Sequence, residues 1–176
     1  MPDSEAITGW MLRPVRNRAV VVAALNALAA KLGLIRHNIR CPHEESEPCG
    51  RELAGELKRR FPDARKVLLV GLQPGLLGAL VEHYGCEGVR VTDLDSENIG
   101  REKHGVRVGN GDADITHEVR WCDLMLVTGS SVVNGTLDGL LKHSQNASKP
   151  LVFFGNTIAA VAAVADLDRV CALGGG

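Results

Sequence analysis

Cys122-Asp-Leu-Met-Leu-Val-Thr-Gly-Ser-Ser-Val-Val-Asn-Gly-Thr-Leu-Asp-Gly-Leu-Leu141 is the stretch whose reading decides the fold. Leu124–Val127 is an apolar run flanked by Asp123 and Gly129, the pattern of a strand covered on both faces. Residues 128–135 read as a small polar loop and 136 to about 143 as a helix. In open α/β sheets, ligands bind where such strands end. Here the loop supplies hydroxyls, an amide and two glycines at that place.

Working outward, the same alternation repeats. Strands are predicted at 66–70, 89–92, 151–154 and 170–173, with a short one at 106–108. Helices are predicted from the Gly71–Gly75 turn to Tyr84, at 115–120 and at 159–165. Gly85 terminates the first of these, and residues 96–111 read as a charged, glycine-rich surface loop. Strand–helix alternation implies a parallel sheet with right-handed crossovers. The predicted fold is therefore α/β: a doubly wound, mainly parallel Rossmann-like sheet over residues 62–176, preceded by an N-terminal helical arm and cysteine-containing loop over 1–61.

In the arm, Pro14 opens a helix running to Leu32, and Gly33 stops it. Val20, Ala23, Ala24, Ala27 and Leu28 form its apolar stripe, and Asn26 reads as an interface or exposed polar residue. Residues 34–40 alternate weakly, as a short strand would, and 51–60 read as a helix with Leu53, Ala54 and Leu57 on one face. An arm of this length is too small to hold its own core, so it packs on the sheet domain or on a partner subunit.

The totals limit what the chain does. Its 176 residues suit one domain; they are 45% hydrophobic and 23% charged, with a net charge of −1. Near-neutral charge and 3% aromatics argue against a nucleic-acid partner. The longest apolar run, 19–30, contains Asn26 and is too short for a membrane span. Five cysteines and an acidic start without an apolar core point to a reducing, cytoplasmic setting.

Four strand ends carry chemistry: Gly71, Gln73 and Pro74; Asp93 and Asp95; Thr128, Ser130, Ser131 and Asn134; Gly155, Asn156 and Thr157. A parallel sheet places them on one edge. Gln73 stands where a dinucleotide-binding turn needs its second glycine, so that ligand class is disfavoured. Asp93, 22 residues after Gly71, sits where a carboxylate accepts from ribose hydroxyls. This points to a nucleoside or S-adenosylmethionine-type ligand, loop capping being the plainer role. Asn134 or Thr136 can cap the next helix, whose N-terminal amides suit an anionic group. No histidine neighbours Ser130 or Ser131, and G-x-S-x-G is absent, so a serine nucleophile is disfavoured.

Cys41, His43 and Cys49 form C-x-H-x5-C, soft donors suited to zinc or another thiophilic metal. Cys49 is also placed just before a helix, where the dipole lowers a thiol pKa. The alternative is a structural loop. Cys86, Cys122 and Cys171 read as buried, inert thiols, and His104 and His117 as surface residues.

Val70-Gly-Leu-Gln-Pro-Gly75, Val91-Thr-Asp-Leu-Asp95 with Asn98-Ile-Gly100, and Val127 through Thr136 together resemble an uncharacterised Rossmann-like family described as "putative heavy-metal chelation". Ala23–Ala27 and Cys41–Gly50 are similar to the segment preceding that domain. The resemblance implies a Rossmann-like domain, often preceded by a domain similar to the N-terminal domain of enolase. Residues 1–61 have room for only a remnant of it. No catalytic residue is implied.

Three functions are consistent with these residues. The first is binding of a small polar ligand, a thiophilic metal or a metal-cofactor intermediate at the strand ends. The second is an S-adenosylmethionine-dependent transferase. The third is a non-catalytic dimerising domain. The expected partners are a small molecule or metal and a second copy through the arm, with neither nucleic acid nor membrane.

Overall fold

The structure, a computed structural model, describes residues 14–35 and 46–171. It is a seven-stranded α/β sheet with helices on both faces. The elements are α1 (Val15–Lys31), α2 (Ser46–Arg60), β1 (Val67–Val70), α3 (Pro74–Tyr84), β2 (Val89–Asp93), β3 (Glu102–Lys103) and β4 (Val106–Asn110). They continue with α4 (Thr116–Trp121), β5 (Leu124–Thr128), α5 (Ser131–Asn134), α6 (Leu137–Ala147), β6 (Leu151–Phe154), α7 (Ala159–Ala165) and β7 (Arg169–Val170).

The strand order is β3-β4-β2-β1-β5-β6-β7, and every pairing is parallel except β3 with β4. From β1 the chain winds out to β2 and β4, then returns to β5 on β1's other side. The order reverses between β1 and β5, and a crevice opens there in sheets of this kind. Central strands are short and almost wholly apolar because both faces are covered.

Alternation along each strand sorts the core into two layers. Leu69, Val91, Leu126 and Val152 face α2 and α3, meeting Leu53, Leu57, Leu77 and Leu80. Leu68, Met125, Val127 and Phe153 face the other way, against Val119 of α4, Leu140 of α6 and Ile158 and Ala162 at α7. Helix α2 therefore shares the sheet's core. Its approach is close because Gly50 has no side chain: a Cβ there would lie 2.5 Å from the Gly75 carbonyl oxygen.

Three expectations change. Helix α2 starts at Ser46, so Cys49 lies within its first turn and not before it. The loop after β5 contains the one-turn helix α5. In α1 the apolar stripe is not the packed face: Val22, Asn26 and Ala29 are buried, while Val20, Ala23, Ala24, Ala27 and Leu28 are exposed. Hydrogen bonding explains that reversal. The Asn26 Nδ2 donates to the carbonyls of Asn156 and Thr157 at 3.3 and 2.9 Å, and its Oδ1 accepts from the Ala160 amide at 2.8 Å. The side chain thus serves as an imported cap for α7, which has none of its own. Of the weak strand predicted at 34–40, residues 36–40 lie outside the described residues, and Leu34 and Ile35 are not in a strand.

Candidate functional site

A cleft of about 290 Å³ opens at the C-terminal ends of β1, β2 and β5. Gly71, Gln73, Asp93, Thr128, Ser130, Ser131, Asn134 and Thr136 line it, together with Val70, Leu72, Thr92, Leu94, Gly111, Leu140 and Phe154. Eight of the predicted ligand-binding residues thus converge on one cavity.

The turn after β1 is built around Gly71, whose φ is +91°. An added Cβ there would lie 2.4 Å from Thr128 Cγ2. The floor of the cleft is therefore backbone against side chain, with no room for a further methyl. Gln73 is the N-cap of α3: its side-chain oxygen accepts from the Leu76 amide, and Pro74 follows at the first helical position. The residue that replaces a dinucleotide-binding glycine thus closes the helix end where a pyrophosphate would sit.

Asp93 braces the opposite wall. Its Oδ2 accepts from the Leu72 amide at 2.6 Å and its Oδ1 from the Asp95 amide at 2.7 Å. The carboxylate ties the β2 end to the β1 turn, which is the capping role anticipated as the alternative to ribose binding. It is also the single charged side chain among the lining residues. Nearby, two buried hydroxyls have no hydrogen-bond partner: Thr92 Oγ1 and Ser131 Oγ, on residues 4% and 1% exposed. Buried polar groups are nearly always paired, so each calls for an explanation.

Helix α1 holds the third wall from behind. The Arg18 guanidinium donates to the carbonyls of Val133 and Asn134, the C-terminal end of α5. That end is otherwise a helix of four residues finishing at Gly135 in the left-handed conformation, with φ of +78°. Thr136 is the N-cap of α6 and makes no side-chain cap bond, so the cap expected from Asn134 or Thr136 is not formed.

Two predicted residues lie elsewhere. Asp95 is exposed and accepts from the Glu97 amide at 2.9 Å, forming its own turn. Asn156 is half-buried, and its Oδ1 accepts from Arg169 Nη2 at 2.8 Å. The turn that bears it packs closely against Gly129, where a Cβ would lie 2.9 Å from the Ile158 nitrogen. Thr92 and Gly111 went unnoticed in the sequence. Thr92 directly precedes Asp93, and that adjacency was the one available signal.

The soft donors do not assemble among the described residues. Cys41 and His43 lie outside them, and Cys49 is half-buried in α2. No group of three or more His, Cys, Asp or Glu among the described residues could hold a metal ion. Of the thiols predicted to be buried, Cys86 is exposed, at the chain bend before β2, and Cys171 is half-buried. Cys122 is fully buried, its Sγ 3.3 Å from the Val119 carbonyl, and burial pushes its thiol up from 9.0 to about 11. A thiol reagent at pH 8 will accordingly modify Cys86 in the native protein and reach Cys122 only on unfolding. The folded state holds the Cys122 proton more tightly than the unfolded chain does. This contribution is complete below the unfolded pKa, and stability falls as pH rises from about 9 through 11.

A profile of the DUF364 family, described as "putative heavy-metal chelation", matches residues 54–175. The chain belongs to this family. A crystal structure from the same family, a protein of unknown function from Pyrococcus horikoshii, superposes with a TM-score of 0.55 at 22% identity. The match covers 82% of this chain and 50% of that one, so the chain spans about half the length of that solved protein. At that identity the likeness speaks for the fold. No curated protein matches. Among the described residues, no helix is long and apolar enough to cross a membrane. The family's description fits the donor set poorly here, since the lining holds neither a thiol nor an imidazole.

Proposed function

We propose that this protein binds a small polar ligand in the cleft at the ends of β1, β2 and β5, and that the ligand presents hydrogen-bond donors to it. The carrying observation is the convergence of Asp93, Thr128, Ser130 and Asn134 on one cleft, with the unpartnered buried hydroxyls of Thr92, beside Asp93, and of Ser131, in α5, among its lining residues. A lining with one carboxylate and no cation disfavours an anionic group facing Asp93. The cavity is near the lower end of the range typical of ligand pockets, which runs from about 300 to 1,000 Å³. A bare metal ion has no adequate donors in this lining. A metal held within an organic complex, gripped by its periphery, reconciles the cleft with the family's description. S-adenosylmethionine remains a candidate because each Asp93 oxygen keeps a lone pair beyond its backbone bond.

Amide NMR with a fragment library, S-adenosylmethionine and Cd²⁺ as probes tests this reading. Organic probes should shift the Gly71, Thr92 and Ser130–Thr136 amides. Thr92→Val and Ser131→Ala should leave thermal stability unchanged or raised, because each removes an unsatisfied group, while weakening the hits. Fragments that bind elsewhere, or hits indifferent to both substitutions, would sink the proposal. Stoichiometric Cd²⁺ binding lost in Cys41→Ser and Cys49→Ser would replace it with direct chelation.

A further inference from the structure

The apolar surface of α1 has no cover. With Val22, Asn26 and Ala29 turned inward, the helix still shows Val20 70% and Leu28 53% exposed. One side of the helix packs on the sheet domain, and the opposite side, with Val20, Ala23, Ala24, Ala27 and Leu28, is apolar as well. Between it and α7 runs a groove of about 270 Å³, lined wholly by apolar residues, including Leu25, Leu28, Leu32, Val161 and Val164. Leu32 and Val164, on opposite walls, are 63% and 78% exposed. Contiguous apolar surface of this kind marks an interaction site.

The residues that follow the groove in the chain do not match its chemistry: 36–45, Arg-His-Asn-Ile-Arg-Cys-Pro-His-Glu-Glu, are mostly polar.

We propose that a second copy of this chain occupies the groove. The molecule carries its own complement: Leu25, Leu28 and Leu32 form a ridge beside the groove at helical spacing. A two-fold axis would lay each copy's ridge in the other's groove, the self-complementary arrangement such symmetry requires. Exposed Ala23, Ala24 and Ala27 leave the helix surface low enough for close approach. Charge agrees with a self-pairing surface. Lys31 and Asp166, both exposed, adjoin the groove residues Leu32 and Ala165 in the chain and supply one charge of each sign. A two-fold can match each to its opposite.

Sedimentation velocity of the full chain across micromolar concentrations decides the matter. A dimer is expected. Leu28→Glu should raise its dissociation constant on the order of 30-fold or more, as loss of a central interface residue does. Val164→Glu, on the other wall, should do the same. Leu28→Met should keep the dimer. Circular dichroism should show all three variants folded, since both positions face solvent in one copy. Lys31→Glu should weaken the dimer, and adding Asp166→Lys should restore it. A wild-type chain that stays monomeric at every concentration measured would overturn the proposal. So would a dimer indifferent to both glutamates, or a groove that takes only an unrelated protein.

Discussion

Gly71→Ala will lower the melting temperature by about 10 °C. Two costs combine. The position holds φ at +91°, where an L-residue is strained by about 1–3 kcal/mol. The methyl would also lie 2.4 Å from Thr128 Cγ2, and overpacking of that kind costs about 1–3 kcal/mol more. A total of about 4 kcal/mol is a large share of the ~5–15 kcal/mol that ordinarily holds a domain together. The two costs can be separated. Thr128→Ser removes the Cγ2 and should recover about 1 kcal/mol or more in the Gly71→Ala background, while the backbone strain stays. Thermal denaturation of the two single variants and the double variant measures the coupling. A coupling of zero would mean that the β1 turn and the β5 end do not meet as described, and the cleft floor would have to be redrawn.

Leu57→Ala will cost about 2–5 kcal/mol, in line with truncation of a leucine at a fully buried position. Its location makes it informative. Leu57 lies on α2, in the stretch first read as arm, yet it packs with Leu69, Leu77 and Leu126. Urea denaturation should therefore show one cooperative transition in both proteins, with its midpoint lowered in the variant. A variant that loses one early phase and leaves the sheet's transition in place would show α2 to be a separate unit.

The strands were the easiest part to read. VLLV, LMLV and LVFF are short apolar runs between turn residues, and backbone sterics leave such runs few options in a protein of this size. Gly85 as a stop and Pro74 at the start of a helix are equally local, because their chemistry acts through the residue's own backbone. The cleft was legible for the same reason. Parallel strands share a direction, so the polar residues ending β1, β2 and β5 had to meet at one edge.

What failed were judgements about which neighbour a residue would meet. The apolar stripe of α1 was visible, but its burial was not, because Asn26 outweighs it: three hydrogen bonds to the turn at residues 156–160 turn the other face inward. Nothing within α1 says that such partners exist 130 residues away. Asn156 also follows a strand, yet it lies outside the cleft, because its side chain turns to Arg169, a partner on the neighbouring strand.

By itself, then, the sequence determined the parallel α/β architecture, the helix stops and the edge at which a ligand could sit. All of these follow from periodicity and from the backbone limits of glycine and proline, which are local. Only the tertiary structure decided that Asp93 braces the cleft through backbone amides, that Thr92 and Ser131 are buried without partners, and that α1 turns its leucines to solvent. Those outcomes depend on contacts between residues distant in the chain, and such contacts are set by the packing of whole elements.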